Sequence, residues 1–444
     1  VMASCTSDIE ETTATTGKSN VQLVVGEFPA FGDSQTRAIG TPDEGKTSWA
    51  EGDELLLVID NTSYGKQYAT FTYNGKSWEL TSGELVYREG DPAYIPHVYY
   101  APNYKLANTS LMLKKGKAAG TDEYIEGKAK ITGNGETITV SFAEATRKYS
   151  RLRIATLPNE QITVDTEYFT PAGSSDMEQK GNYTLTSDEK GNAYLYGTFD
   201  RYAEVTVKYR EATLATHTFL QATENAKSYA LDATVISANS AEEIKSAIEQ
   251  EIADGKTAIR LNIASDAGDN EFKAIREAFK NVKSGTIDLT LIGCKEIPAD
   301  GLNNQSGGLE ALKSITLPDV TKIGKNALLF CVDLEEICAP NVSAIDEGGF
   351  AECFGLRKVT LGELTDVKGD YENGTGIFGN DPFLPQNIDL ELSERQRIMT
   401  KQLIDGRYCW TPTEEPYQRS NDHTYRRFLG MTFNSIKCGR IKYE

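Results

Sequence analysis

The sequence predicts a mainly β chain: two tandem β-sandwiches over residues 20–125 and 126–236, then an α/β repeat solenoid over 237–444. Three observations carry this. Short β-branched runs separated by turn residues recur from about residue 20 to 235. At Ala238 the pattern switches to helical spacing. From Leu312 onward, one hydrophobic signature returns every 22 residues.

The predicted strands are Gln22–Val25, Leu55–Ile59, Tyr68–Tyr73, Leu111–Leu113, Thr137–Phe142, Leu152–Ile154, Tyr183–Leu185, Ala193–Tyr196 and Glu204–Tyr209. Turn residues separate them, as in Tyr73-Asn74-Gly75-Lys76 and Asp188-Glu189-Lys190-Gly191-Asn192. Strands at this spacing suit sandwiches, and the stretch is long enough for two. The Gly- and Lys-rich segment Lys115–Glu126 is the expected junction between them.

Ser240-Ala241-Glu242-Glu243 is a capping box, and Ile244, Ile248 and Ile252 follow at helical spacing up to Gly255. A strand over Ala258–Ile263 comes next. Phe272, Ile275, Phe279 and Val282 then predict a second amphipathic helix ending at Gly285.

Leu312, Ile315, Leu317, Val320, Ile323, Leu328 and Cys331 return as Leu334, Ile337, Ala339, Val342, Ile345, Phe350 and Cys353. A third copy starts at Leu356, Val359, Leu361, Leu364 and Val367. An earlier one (Leu289, Leu291, Cys294, Ile297, Leu302) precedes at an offset of 26, its excess lying near Asn304–Gly308. This is the grammar of a leucine-rich repeat, whose units bury their apolar faces only by stacking. Cys331 and Cys353 share one repeat position, which suits either small buried hydrophobes or a disulfide between coils.

Composition narrows the chemistry. The 444 residues hold 46 Lys+Arg against 65 Asp+Glu, a net charge of −19, and only three histidines. Such a field repels polyphosphate, so no nucleic-acid partner is expected. From Glu391 to the end, ten Lys/Arg face seven acids, a net +3. With Tyr408, Trp410, Tyr417, Tyr425 and Phe428, this tail reads as a helix plus a strand capping the solenoid, or as a basic aromatic patch.

The start, Val1-Met2-Ala3-Ser4-Cys5 followed by Asp8-Ile9-Glu10-Glu11, resembles the end of a bacterial lipobox and the acidic export signal of Bacteroides-type surface lipoproteins. That resemblance implies lipidation of Cys5, with residues 1–19 as leader and flexible tether. The order Thr36-Arg37-Ala38, Trp49-Ala50-Glu51-Gly52-Asp53 and Lys76-Ser77-Trp78 is similar to the opening of fimbrillin-like proteins, lipoprotein precursors and minor subunits of type V pili. The resemblance implies proteolytic processing at Arg37, and a groove that accepts a neighbour's donor strand. The segment Ser314–Val367 resembles the BspA-like leucine-rich repeats of bacterial surface antigens, which implies binding of host or bacterial surface proteins or glycans.

No catalytic, cofactor or metal constellation stands out, so a non-enzymatic protein without cofactors is expected. Gly40–Thr47 spells G-x-x-x-x-G-K-T, but no apolar strand delivers it and no helical period follows Lys46-Thr47. The Asp188–Asn192 and Asp366–Asn373 turns carry enough oxygen ligands to suggest calcium, or ordinary turn chemistry. The candidate contact face is the outward set Ser314, Thr316, Glu336, Cys338, Lys358 and Thr360, flanked by Lys313, Glu335 and Arg357. The expected role is a surface adhesin at the outer membrane, or a structural pilus subunit with other pilus subunits as partners.

Overall fold

The computed structural model describes residues 22–31, 45–62, 65–85, 95–107, 110–132, 137–142, 147–210, 212–305, 309–417 and 426–438. Cys5, Arg37 and most of the Gly40–Thr47 loop lie outside them. The described chain is mainly β with two α-helices. It divides into two compact units, Val1–Val207 with Ala215–Ala233, and Lys208–Leu214 with Thr234–Glu444.

The first seven-stranded sheet runs in the order Gln22–Val25, Thr137–Val140, Ile125–Thr132, His97–Tyr100, Glu54–Thr62, Gly65–Tyr73, Trp78–Glu84. Every pairing is antiparallel except the outermost, where Gln22–Val25 lies parallel to Thr137–Val140. This order corrects the expected boundary at 125/126. Ile125, Ala129, Ile138 and Val140 are buried in the first core, so their strands belong to the first sheet. The change of sheet falls between Val140 and Ser150, and Lys115–Glu126 only leads into an inner strand.

Trp49, Gly52 and Asp53 have a direct physical account. Gly52, at φ 92, turns the chain so that its N–H meets the Tyr73 carbonyl at 2.8 Å and Asp53 N–H meets Ala50 O at 3.0 Å. The Asp53 carboxylate accepts from Ala50 N at 2.7 Å and Tyr100 Oη at 3.1 Å, and pairs with Lys46 at 2.8 Å. Trp49 donates its indole N–H to Gly26 O at 2.9 Å and meets Trp78 edge-on at 5.1 Å.

The second sheet runs Ala212–Thr218, Glu204–Tyr209, Gln161–Pro171, Asn192–Phe199, Ser150–Ala155, Ser228–Asp232, with Glu178–Thr186 paired to Gln161–Pro171. Gln161–Pro171 is its longest strand: Ile162, Val164 and Thr166 alternate inward until Tyr168, at φ 52, breaks the ladder.

In the second unit, helix α1 (Ala241–Ala253) starts where Ser240 Oγ accepts from Glu243 N at 3.2 Å, and helix α2 spans Asp269–Ala278. Ile244 and Ile248 of α1 and Phe272 and Ile275 of α2 are buried. Eight parallel strands follow the order Ile236–Ser237, Ala258–Asn262, Ile287–Ile292, Leu312–Thr316, Glu336–Ala339, Lys358–Leu361, Asp389–Leu392, Ser435–Cys438. A second ladder, Glu296–Ile297, Lys322–Ile323, Ala344–Ile345 and Asp366–Lys368, takes its strands alternately with these along the chain. Ile315 faces Ile337, which faces Val359, so the register advances by one repeat per strand. Each apolar position of the 22-residue signature from Leu312 to Val367 is at most 3% exposed, so the period is the period of one core.

The last segment departs from expectation. Among the described residues no helix follows Glu391; Arg397–Ile404 and Arg407–Pro416 form an antiparallel hairpin on Asp366–Lys368. Its two-residue turn, Asp405-Gly406 at φ 48 and 78, is the left-handed pair that a tight hairpin needs.

Candidate contact surface

On a parallel ladder, alternate residues point to opposite faces, and in-register neighbours stack into columns. Here Ile315, Ile337 and Val359 point inward, so the residues on either side of each point out. One outward column reads Asp288, Ser314, Glu336, Lys358, Asp389, Ser435. The other reads Arg260, Thr290, Thr316, Cys338, Thr360, Glu391, Lys437. All six residues singled out from sequence therefore stand on one face, in two adjacent columns. The repeat alignment could not supply Asp389, Glu391, Ser435 and Lys437, whose strands lie at other spacings.

Polar groups within the first column are tied to one another. Ser314 Oγ donates to Asp288 at 2.6 Å, Lys358 Nζ to Glu336 at 2.7 Å and Ser435 Oγ to Asp389 at 2.5 Å. The bond to Glu336 raises the Lys358 pKa, and the Ser435 and Asn434 donors lower that of Asp389. Thr316, Cys338 and Thr360 are half-buried between these groups. Burial, with Glu336 nearby, pushes the Cys338 thiol up to about 11, which keeps it protonated at neutral pH. Lys313, Glu335 and Arg357 stack at the strand entrances, each joined to the next by a backbone hydrogen bond (2.8 and 2.9 Å), and all three are exposed.

The opposite ladder is a line of ion pairs. Lys322 bonds Glu296 at 2.7 Å and lies 3.8 Å from Asp346, which Lys368 meets at 2.8 Å. The hairpin is held by Lys401, 3.2 Å from Asp370 and 3.1 Å from Glu372, over the Tyr408 and Trp410 rings.

Other motifs receive structural roles. Asp188 accepts from Lys190 N and Asn192 N, both at 2.9 Å, which makes its turn an Asx turn. Asp370 is bonded by Lys401 and by Asn373 at 2.6 Å. Among the described residues no group of three His, Cys, Asp or Glu is placed to hold a metal ion. Gly45–Thr47 forms coil that leads towards a strand, and Lys46 is paired with Asp53. His217 packs edge-on against Phe219 at 4.7 Å, and burial lowers its pKa.

Cys331 and Cys353 are fully buried free thiols in neighbouring coils. Sequence reasoning gave no sign of the buried cluster in the first unit. There the Glu123 carboxylate takes Arg147 Nη2 at 3.1 Å, Nε at 3.3 Å and Tyr149 Oη at 2.5 Å. The Arg147 guanidinium also lies 3.8 Å from the centre of the Phe31 ring. Residues separated by 24 positions leave no periodic mark of such a contact.

No helix among the described residues is long and apolar enough to cross a membrane. No protein-family model matches the chain, and no curated protein matches it.

Proposed function

We propose that this chain is a non-enzymatic adhesin of the bacterial cell surface, a fimbrillin-like lipoprotein anchored in the outer membrane through Cys5. In this reading the two N-terminal sheets are the cores of two tandem β-sandwiches, and the C-terminal unit is a leucine-rich-repeat solenoid of the BspA-like type. One observation supports it most: two in-register columns of hydroxyl and charged side chains on one face of an eight-stranded parallel ladder. A regular array of this kind meets a protein or glycan through many modest contacts, and repeat proteins use such surfaces for binding.

The test is a glycan and protein array probed with the full chain and with a Ser314→Arg/Thr360→Arg variant. Partners bound by the wild type and lost by the variant support the reading. Equal binding by both chains sinks it.

The alternative is a pilus subunit assembled by donor-strand exchange. It draws on the Gln22–Val25 strand, a parallel edge strand on an otherwise antiparallel sheet. Isolated surface fibres containing the protein in a denaturation-resistant ladder would favour this alternative.

A further inference from the structure

Three phenylalanines on the turns of the second unit are exposed for no reason that folding supplies. Phe330 is 37% exposed, Phe354 46% and Phe383 69%. They belong to successive passages of the chain along one edge. Phe330 N bonds Ala351 O at 3.1 Å, which sets it beside Glu352, two residues before Phe354. A Cβ on Gly379 would meet Ala351 Cβ at 3.3 Å and Glu352 Oε1 at 3.4 Å, and Phe383 follows four residues on.

The backbone holds these rings outward. Phe330 sits at φ 63, a left-handed conformation that is unfavourable for a bulky residue. The next repeat has Glu352 at the same position and nearly the same φ of 57, so the turn does not require an aromatic ring. Phe383 N donates to Asp381 at 2.8 Å and its carbonyl accepts from Asn387 Nδ2 at 3.2 Å, which fixes that loop. Asp333, Glu352 and Asp381, all half-buried, bring carboxylates to the same turns. Arg357 is turned back onto the Phe354 and Leu356 carbonyls, at 3.2 and 2.7 Å.

We infer that this turn edge is a docking surface, separate from the outward columns, for an apolar protein segment that carries cationic side chains. The rings supply the apolar contact, and aromatic anchors are the usual source of such binding energy. The acidic rim, on a chain of net charge −19, selects the sign of the partner.

The probe is a fluorescein-labelled amphipathic peptide of leucine and lysine, titrated with the full chain and read by anisotropy. A leucine–glutamate peptide serves as control. The wild type is expected to bind the cationic peptide and not the acidic one. Phe354→Ser/Phe383→Ser, which keeps every charge, should weaken binding by about tenfold or more. Both rings are exposed, so this variant should keep the wild-type circular dichroism. Glu352→Lys/Asp381→Lys, which inverts the charge of the rim, should abolish binding of the cationic peptide. Equal affinity in the phenylalanine variant, or failure of the wild type to bind the cationic peptide, overturns the inference.

Discussion

The Cys353 thiol donates to the Leu328 carbonyl at 3.0 Å, repeating one coil later the bond from Cys331 to the Leu302 carbonyl at 3.3 Å. Both thiols are fully buried, so each satisfies a carbonyl at a turn where water is excluded. The cysteine at this repeat position is a small apolar filler that is also a donor.

A first prediction follows from that pairing. Cys353→Ala removes the sulfur and one of two donors to the Leu328 carbonyl, which keeps the Cys331 N–H at 3.3 Å, and should cost about 0.5–1.5 kcal/mol in urea unfolding, the range for one lost hydrogen bond. Cys353→Ser keeps a donor and should cost less. Equal losses in the two variants would show that only sulfur volume counts.

Thiol reactivity should divide by position. Cys331 and Cys353 should resist alkylation in the native protein and react on unfolding, whereas the half-exposed Cys438 should label first. Cys338, half-exposed but with its pKa pushed up to about 11, should label slowly at neutral pH and faster as the pH rises. Peptide mass spectrometry after timed labelling reads this order.

The Glu123–Arg147–Tyr149 cluster is a buried ion pair whose hydrogen bonds are met. Removing one partner leaves the other charge uncompensated, so Arg147→Met should destabilise the first unit by about 3–5 kcal/mol. A double variant with Glu123→Leu should recover part of that loss. A denaturant double-mutant cycle measures the coupling, and additive losses would contradict the cluster.

Asp122 gives a pH dependence of defined sign. Burial raises its pKa above the ordinary 3.8, opposed by the Glu123 backbone N–H and the Lys117 and Lys46 cations. The folded state therefore holds this proton more tightly than the unfolded chain does. The group destabilises the fold above its raised pKa, and that penalty is relieved as the pH falls towards 3.8. Asp122→Asn, which keeps an acceptor for Glu123 N, should stabilise the protein at pH 7, with the gain shrinking as the pH falls. A gain that grows on acidification would contradict this.

The parts of the fold legible in the sequence are those that repeat. Ile315, Ile337 and Val359 announce their ladder because each coil solves the same burial problem with the same spacing, and Ser314 and Lys358 follow as their outward neighbours. Ile125–Thr132 leaves no such mark, because its pairing with His97–Tyr100 is set by tertiary packing and not by local pattern. The Arg397–Pro416 hairpin did carry a local signal, Asp405-Gly406, which the surrounding basic and aromatic composition obscured. Asp389 and Ser435 joined the candidate face only through long connections, and no period in the chain records those.

Gly362 shows how little room separates one coil from the next. A Cβ there would stand 2.7 Å from the Val342 carbonyl and 2.8 Å from that of Pro340. The backbones touch, and hydrogen bonds between coils point along the direction of stacking. A force drawn along that direction loads those bonds a row at a time. The ladder should therefore open by peeling, coil after coil, at modest force over a long extension. Such a domain yields gradually under a tug that breaks a stiffer link at once.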